Sequence, residues 1–346
     1  MSEAIDIDID GVTVRISNPD KIYFSKRGET KLDLVRYYQA VAEPLLRTIG
    51  NRPVLLERYP DGAGGKSWFQ KRVPKSVPDW LQTVQVSTPN GTASDALVAA
   101  DLAHILWAVN LGCLGFHVWP NHVPAGGVPA RTEGEIGDLD ISDELRIDLD
   151  PSPGIGFDDL RHVAVLTREL LAELGIEARV KTSGSRGLHI YAVLEPVWDG
   201  YQIRAAAVAM ARELERRHPD LITANWWKEE RGQRVFIDYN QNAPHKTVFG
   251  AWCVRPKVGA QVSTPIAWDA LDAIVPDELT IATVPERLAA SGDPWADRTP
   301  QSIQPLLEMS RRDFDSGLLD APWPPNYPKM PNEPPRVQPS RARTPG

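Results

Sequence analysis

Two aspartates one residue apart, Asp148 and Asp150, lie in the apolar stretch RIDLDPSPG. In a β-strand, residues i and i+2 point to the same face, so both carboxylates would share one face. Such carboxylates repel each other unless a cation or water lies between them. The pair is therefore either part of a metal site or the wet edge of a strand, since D-x-D also occurs at residues 6–10 and 138–140.

Later segments would bring further polar side chains beside this pair. LRIDLDP, EARVKTSG, LHIYAVLE and RVFIDYN predict four strands, and two long amphipathic helices separate them in the order β-α-β-β-α-β. In this ferredoxin-like order the first strand lies between the third and the fourth. We therefore expect Asp148 and Asp150 to lie beside His189 and Asp238.

Three carboxylates on adjacent strands form an oxygen-rich site that suits Mg²⁺ or Mn²⁺. Such a triad can hold two ions about 4 Å apart for in-line phosphoryl transfer. For Asp150 alone, a strand end before the Pro-Ser-Pro-Gly turn is the favoured interpretation, but the three carboxylates together favour a metal site.

Two neighbouring segments could bind a triphosphate. TSGSRGLHIY offers a turn whose backbone N–H groups could hold phosphate oxygens, and the stretch from residue 231 to 256 supplies cations. A hairpin turn and a surface loop are the alternative interpretations. The candidate side chains are Ser183, Arg186, His189, Arg231, Gln241, Lys246 and Arg255.

The N-terminal half is predicted to be an α/β module. Residues 5–17 alternate around Asp10-Gly11 as in a β-hairpin, with the aspartates on its solvent face. KLDLVRYYQAVAEPLLRTIG predicts a helix broken near Pro44 and ended at Gly50, and ASDALVAADLAHILWAVNLG predicts a second helix. PVLLERYP and GFHVWP are predicted strands. The D-x-D at 138–140 is predicted to lie in a loop.

The charge is unevenly distributed. The net charge is −8, yet residues 21–75 hold 12 Lys or Arg against 5 Asp or Glu. A locally basic face suits phosphate binding, although a solvated surface would look the same. Within it, Trp68 and Phe69 lie among cations such as Lys71, which suits stacking on unpaired bases. Because adjacent strand residues point to opposite faces, we expect at least one of the two aromatics in the core.

The whole chain has the composition of a soluble protein with one or two domains. At 346 residues it can bury a large core, and no apolar run is long enough to span a bilayer. Cys113 and Cys253 lie far apart, so we expect buried, reduced thiols in a cytosolic protein. The last 26 residues hold nine prolines. They predict an extended tail that contacts the body through Trp323 and Tyr327 and is otherwise disordered.

The ordered motifs RIDLDP, KTSGSRGLHIY, FIDYNQN and HKTVFGAWCVRP resemble the polymerase domain of bacterial DNA ligase D, in the archaeo-eukaryotic primase superfamily. The resemblance covers about residues 10–285. It implies an α+β fold in which an RRM- or ferredoxin-like βαββαβ sheet is merged with an N-terminal α/β module. We expect a catalytic domain at 1–285, composed of the module at 1–125 and a core at 140–285, and a proline-rich extension at 286–346.

The resemblance also implies a function. Such enzymes are nucleotidyltransferases that extend primers or fill short gaps in DNA break repair, often prefer ribonucleotides and use Mn²⁺ or Mg²⁺. No ligase or nuclease sequence follows, so we expect a stand-alone, mycobacterial-type primase-polymerase. The expected partners are nucleoside triphosphates, gapped or primed DNA with a 5′-phosphate, a separate ligase and repair factors. We expect a cytoplasmic, nucleoid-associated monomer with no membrane contact.

Site residues carry over from the resemblance in three groups. The metal ligands are Asp148, Asp150 and Asp238. The nucleotide-binding positions are His117, Ser183, Arg186, His189, Arg231, Gln241, Lys246 and Arg255, with Arg186 in place of a usual lysine. The DNA-binding positions are Lys21 and Lys31 for the 5′-phosphate across a gap, Trp68 and Phe69 for stacking at the template bend, and Lys71.

Two other functions remain open at this point. DLDPS also suits the aspartyl nucleophile of a haloacid-dehalogenase-type, Mg²⁺-dependent phosphohydrolase, although that class needs a parallel sheet. A catalytically idle protein that binds DNA ends or gaps would show tight, salt-sensitive binding without nucleotide incorporation.

Overall fold

The structure, a computed structural model, describes residues 3–87, 89, 91–123 and 140–336. The elements up to residue 123 are β1 Ile5–Ile9, β2 Val12–Ile16, β3 Ile22–Phe24, β4 Glu29–Thr30, α1 Lys31–Ala40, α2 Ala42–Ile49, β5 Pro53–Arg58, β6 Trp68–Gln70, β7 Thr83–Ser87, β8 Ala93–Val98, α3 Leu102–Asn110 and β9 Cys113–Val118.

The elements after residue 140 are β10 Ile141–Pro151, α4 Phe157–Glu173, β11 Arg179–Thr182, β12 Leu188–Asp199, α5 Gly200–Arg217, β13 Ile222–Thr223, β14 Val235–Asp238, β15 Val248–Phe249, β16 Pro265–Ile266, α6 Thr283–Ser291 and α7 Gln304–Asp315. A 3-10 helix, Tyr239–Asn242, directly follows β14.

The N-terminal hairpin is confirmed. Strands β1 and β2 pair antiparallel, and both turn residues, Asp10 and Gly11, have positive φ, at 51° and 84°. Two positive φ values give a turn whose twist matches that of the paired strands. Asp6 and Asp8 lie on the exposed face of β1, so this D-x-D is structural. Of the D-x-D at 138–140, Asp138 lies outside the described residues.

The first predicted helix is broken near Pro44 and ends at Gly50, as expected. The break falls at Val41, and Pro44 lies in the first turn of α2, where a missing N–H costs no intrahelical bond.

The first part of the second predicted helix is wrong. Residues 93–98 form strand β8, because pairing with β7 and β5 overrides the helical preference of an alanine-rich stretch. The following helix begins only after Asp101, whose side chain accepts a bond of 3.0 Å from the backbone N–H of His104.

The first sheet draws on both halves of the chain. Its strands run in the order β15-β9-β5-β8-β7, and the short strand β6 pairs with β5. Strand β15 comes from far downstream and pairs antiparallel with β9. The main hydrophobic core likewise contains residues of both sheets. The two sheets are therefore packed into one body.

The second sheet has the strand neighbours that the sequence predicts. Its order is β13-β14-β10-β12-β11-β16, so β10 lies between β12 and β14 and is antiparallel to both. Leu145, Ile147 and Leu149 are buried, and helices α4 and α5 pack on the sheet. Because side chains alternate along a strand, residues 144, 146, 148 and 150 share the opposite face.

Buried ion pairs fix β10 against the first sheet. Arg146 donates hydrogen bonds of 2.8 Å to the backbone oxygen of Val118 and 3.1 Å to that of Trp119, and it pairs with Glu144 at 2.8 Å. Arg52, from the start of β5, lies 3.3 Å from the same glutamate. Removing one member of such a network leaves an unpaired buried charge, which costs roughly 3–5 kcal/mol. The strand that carries Asp148 and Asp150 is thus anchored to the first sheet.

The tail contacts the body where the sequence predicts. Trp323 and Tyr327 are buried against Ala243. Residues 337–346 lie outside the described residues.

Both cysteines are fully buried, as expected, and burial raises the pKa of the Cys253 thiol to about 12. Among the described residues, no helix is long and apolar enough to cross a membrane.

Candidate active site

Three carboxylates meet where β10 and β14 lie side by side. Asp148 is in register with Asp238 on one neighbouring strand and with His189 on the other. One carboxylate oxygen from each of Asp148, Asp150 and Asp238 lies within 4.8 Å of the others. Asp238 is buried at the end of β14, whereas Asp150 is exposed. The predicted convergence of the three aspartates is confirmed.

The three carboxylates are disfavoured as free anions. Burial, with the charges of Asp150 and Asp238 added, raises the pKa of Asp148 well above its usual value. Burial and the charge of Asp150 raise the pKa of Asp238 to about 6. Gln241 Nε2 donates to Asp238 Oδ2 at 2.6 Å and Asn240 N to Oδ1 at 3.0 Å, which partly offsets this cost. An oxygen-preferring divalent cation fits this donor set and would relieve the repulsion.

His189 is a neutral group beside the triad. Its Nε2 lies 3.4 Å from Asp148 Oδ1, and its buried Nδ1 has no hydrogen-bond partner among the described residues. Burial, together with the charges of Lys181 and Arg255, holds the pKa of His189 well below its usual value. The sequence analysis did not select Lys181, whose buried Nζ donates to Ser263 Oγ at 2.6 Å. Little in the sequence marks this lysine, because β11 has the sequence RVKT and carries a second cation, Arg179.

The turn after β11 is closed by hydrogen bonds to the Ser183 side chain. Ser183 Oγ accepts bonds from Ser185 N at 3.2 Å and Gly187 N at 3.0 Å, so its own hydroxyl proton is left to donate. Gly184 has φ +69°, and a Cβ there would lie 2.7 Å from Arg255 Cγ and 2.9 Å from Ser263 N. Only glycine fits this position without a shift of the neighbouring backbone.

Cations surround the same turn. Arg255 donates from Nε to the backbone oxygen of Ser183 at 2.6 Å, and its guanidinium lies 3.6 Å from the ring centroid of Phe249. Arg186 is exposed on the turn. Lys257 Nζ donates to Ser185 Oγ at 2.6 Å. The sequence analysis missed Lys257, because a single lysine in a loop has no spacing that distinguishes it from a solvated residue.

A cavity of about 750 Å³ opens beside Asp150 and is also lined by Arg186, Lys228 and Arg231. The Arg231 guanidinium lies 3.7 Å from the ring centroid of Phe236. Although Asp150 is exposed at the surface, the protein around its carboxylate partly desolvates it and raises its pKa, and the charges of Arg231 and Lys228 oppose this shift. The structure therefore brings Arg231 to the triad, together with Lys228, which the sequence analysis did not name.

The second group of predicted nucleotide-binding residues lies around Asp238. Gln241 contacts its carboxylate directly, and the charge of Lys246 lowers its pKa against the effect of burial. Gln241, Lys246 and Lys71 line a smaller cavity of about 220 Å³. Lys71 thus lies on the same side of the site as these two residues.

His117 lies between the aromatic side chains of the first sheet. Its Nε2 is 3.1 Å from Glu57 Oε2, and its ring is edge-on to Phe69 at 5.3 Å and to Phe249 at 5.2 Å. Burial would raise the pKa of Glu57, but the hydrogen bond and charge of His117, together with Tyr59 and Arg255, leave that pKa lowered. Since Phe249 also lies under Arg255, this contact connects His117 to the turn residues.

The prediction that Trp68 or Phe69 is a core residue is wrong. Their exposed fractions are 47 % and 56 %. They lie on β6, a three-residue strand that pairs with β5 off the main strand order of the sheet. The Arg58 guanidinium lies over the Trp68 ring, 5.0 Å from the ring centroid. Both aromatic side chains are therefore accessible.

Lys21 and Lys31 differ strongly in their surroundings. Lys21 is partly exposed and pairs with Asp61 at 2.8 Å. Lys31 is only 4 % exposed and donates to the backbone oxygens of Ser17 at 2.7 Å and Asn110 at 3.2 Å. Burial and the charge of Lys21 lower the pKa of Lys31 to about 8. The two lysines are close together, and the hydrogen bonds of Lys31 are with the N-terminal part of the chain.

Comparison with known proteins places the chain in one family. The family model described as LigD, primase-polymerase domain, matches residues 30–295. The chain is 31 % identical over 284 residues to the multifunctional non-homologous end joining DNA repair protein LigD of Mycobacterium tuberculosis, which covers 81 % of this chain and 36 % of that protein. It is 29 % identical over 320 residues to the multifunctional non-homologous end joining protein LigD of Mycolicibacterium smegmatis, covering 92 % of this chain and 40 % of that protein.

A solved structure agrees with these matches. The polymerase domain from Mycobacterium tuberculosis ligase D in complex with DNA superposes with a TM-score of 0.74 at 31 % identity, covering 81 % of this chain and 96 % of that domain. The chain spans less than half the length of the two LigD relatives. It belongs to the LigD primase-polymerase domain family of nucleotidyltransferases.

Proposed function

We propose that the chain is a template-directed, metal-dependent DNA/RNA polymerase that extends primers and fills short gaps in DNA break repair. The observation that carries the proposal is the carboxylate triad, which has cations on both sides in a chain of this family. The related polymerase domain named above is in complex with DNA. A preference for ribonucleotides is part of the proposal.

The residues of the site divide the work between metal, triphosphate and base. Asp148, Asp150 and Asp238 would hold one or two Mn²⁺ or Mg²⁺ ions, which when bound favour the attacking alkoxide and neutralise the triphosphate. Ser183 would donate its hydroxyl proton to a phosphate oxygen, since both bonds to its oxygen are accepted ones.

The remaining predicted nucleotide-binding residues surround these two groups. We propose that cations on both sides of the triad balance the phosphate charge, and that His189 and Gln241 orient the carboxylates they adjoin. His117 would contact the nucleotide between Phe69 and Phe249. The proposed cations are Arg186, Arg231, Lys246, Arg255 and Lys257.

The DNA would lie against the exposed edge of the first sheet. Trp68 and Phe69 offer accessible rings for stacking on unpaired bases, and Lys71 offers a charge beside them. Lys21 and Lys31 would hold the 5′-phosphate across a gap.

The organisation of the chain is part of the same proposal. We class the second sheet as ferredoxin-like from its strand order, and assign 1–285 to the catalytic domain, with parts at 1–125 and 140–285, and 286–346 to an extension. The proposed setting is a cytoplasmic, nucleoid-associated monomer that acts with DNA repair factors.

The two other functions considered from the sequence fit less well. A phosphohydrolase of the haloacid-dehalogenase type needs a parallel sheet around its nucleophile, whereas β10 is antiparallel to both neighbours. An idle DNA-binding protein would have no use for three mutually repelling carboxylates, which oppose folding unless a cation binds.

Primer extension on a gapped duplex tests the proposed function. Ribo- and deoxynucleotides are each supplied with Mn²⁺ or Mg²⁺, and products are resolved by length. We expect metal-dependent addition that follows the template and stops near the end of the gap, with faster addition of ribonucleotides. Binding without incorporation, or release of phosphate from nucleotides without extension, would refute the proposal.

The 5′-phosphate at the far side of a gap gives a separate prediction. We expect Lys21→Ala to weaken binding to 5′-phosphorylated gaps by roughly 5- to 10-fold and to affect unphosphorylated gaps much less, because its ammonium is accessible. Lys31→Ala should also lower the melting temperature, since its bonds hold buried backbone oxygens. Equal loss on both kinds of gap would show that Lys21 is a general backbone contact.

A further inference from the structure

The chain continues beyond the part that the family model matches and forms an ordered tail segment, residues 320–336. Arg336 donates to the backbone oxygens of Tyr327 at 2.7 Å and Pro328 at 2.8 Å and pairs with Glu333. Glu333 is buried and accepts bonds from Trp323 N at 2.9 Å and Met330 N at 3.0 Å. These internal bonds give the proline-rich tail segment a defined shape.

Arg204 on helix α5 attaches the tail segment to the second sheet. This arginine is 1 % exposed and lies 3.9 Å from the ring centroid of Trp323. It pairs with Asp320 at 3.0 Å and donates to the backbone oxygen of Ala321 at 2.8 Å. Moving the tail segment away would leave this buried guanidinium without its partners, which would strongly destabilise the fold.

The same arginine connects the tail segment to the third carboxylate. Arg204 Nε donates to Asn240 Oδ1 at 2.7 Å, and Asn240 Nδ2 donates to the backbone oxygen of Pro322 at 3.1 Å. The backbone N–H of Asn240 donates to Asp238 Oδ1 at 3.0 Å. The 3-10 helix that positions this carboxylate is therefore held by the tail segment and by Arg204.

The tail segment makes a second contact just after the 3-10 helix, at Ala243 and Pro244. The Tyr327 hydroxyl donates to the backbone oxygen of Pro244, and Trp323 and Tyr327 pack on Ala243. Tyr327 and Lys246 line the same 220 Å³ cavity. The tail segment thus contacts the chain on both sides of Gln241, from Asn240 to Pro244.

We propose that the tail segment is a positioning element of the active site, which holds the stretch from Asp238 to Lys246 in the geometry needed for metal and nucleotide binding. This inference rests on the proposed function. Asp238 directly precedes the 3-10 helix Tyr239–Asn242 and accepts a hydrogen bond from Asn240 N, so the direction of its carboxylate depends on where that helix lies. A displacement of about 1 Å in a reacting group can cost roughly 100-fold in rate.

Two substitutions test this positioning role. Trp323→Ala removes the ring that stacks on Arg204, and Tyr327→Phe removes only the hydroxyl that bonds Pro244. We expect Trp323→Ala to raise both the Mn²⁺ concentration for half-maximal extension and the KM for nucleotide by about 10-fold, as loss of an outer support of a metal site does. Tyr327→Phe should raise the KM for nucleotide by a smaller factor and leave the melting temperature nearly unchanged.

Val284→Ala is the matched control. Val284 is a buried core residue on α6, so its truncation lowers the melting temperature but should leave both half-saturation values unchanged. The inference is overturned if Trp323→Ala and Tyr327→Phe keep wild-type half-saturation values, or if Val284→Ala shifts them as much.

Mn²⁺ binding followed calorimetrically, without turnover, separates this inference from the proposed function. A wild-type protein that binds Mn²⁺ but extends no primer would refute the polymerase function. Weaker Mn²⁺ binding by Trp323→Ala in that same protein would still support the positioning role, and unchanged binding would refute it.

Discussion

The Asp148→Ala variant is expected to fold and to lose primer extension. Asp148 is the central carboxylate of the triad, in register with both Asp238 and His189. Removing it takes away a shared metal ligand, and the several kcal/mol of charge stabilisation lost correspond to a rate at least about 1,000-fold lower. The measurement is single-turnover extension of a primed gap with Mn²⁺ in excess.

The N-terminal hairpin offers a matched control for this substitution. Asp6 belongs to a D-x-D on a β-strand, as Asp148 does, but lies on an exposed face. We expect Asp6→Ala to extend primers at the wild-type rate. Circular dichroism and the melting temperature should show that Asp148→Ala is folded. Normal extension by a folded Asp148→Ala protein would mean that the carboxylate triad is not the metal site.

The residues of the triad could be found from the sequence because strand order alone brings them together. Asp148, Asp238 and His189 each lie on a strand with an apolar period, and the β-α-β-β-α-β order fixes which strands are neighbours. Spacing alone would have selected the exposed Asp6 and Asp8 as well. The adjacency of strands therefore carried more information than the D-x-D motif.

Several features depend on contacts that no local pattern predicts. Strand β8 was predicted as helix because its alanine-rich sequence is locally helical, and only its pairing with β7 and β5 makes it a strand. Lys257 reaches Ser185 across 72 residues of chain. Lys31 has the sequence environment of a surface lysine, and its burial follows from the packing of α1 beside Asn110.

The contacts of the tail segment could also be predicted only in part from the sequence. Trp323 and Tyr327 could be named as contact residues because large aromatics in a proline-rich stretch need a surface to cover them. Their target could not be named, because Arg204 lies in the second turn of a helix that is otherwise rich in alanine. Its contact with Asn240 connects three distant parts of the chain, and no periodicity reports such a connection.

Removal of the Asp238 carboxylate is expected to stabilise the metal-free fold and to weaken metal binding. In metal-free protein at pH 7 we expect Asp238→Asn to raise the melting temperature. The pKa of Asp238 in the fold is about 6, above its usual value, so its ionised form opposes folding. A shift of this size corresponds to about 3 kcal/mol at most. The amide loses part of this gain because it cannot accept from both Gln241 and Asn240.

The net gain should be about 1–2 kcal/mol, or roughly 2–4 °C. Differential scanning calorimetry in EDTA, and then with Mn²⁺, measures both effects. Mn²⁺ should raise the melting temperature of the wild type by mass action and raise that of Asp238→Asn much less. Asp6→Asn, which removes an exposed charge, should behave like the wild type in both conditions. If Asp238→Asn is no more stable than the wild type in EDTA and gains equally from Mn²⁺, the three carboxylates neither oppose folding nor share a metal.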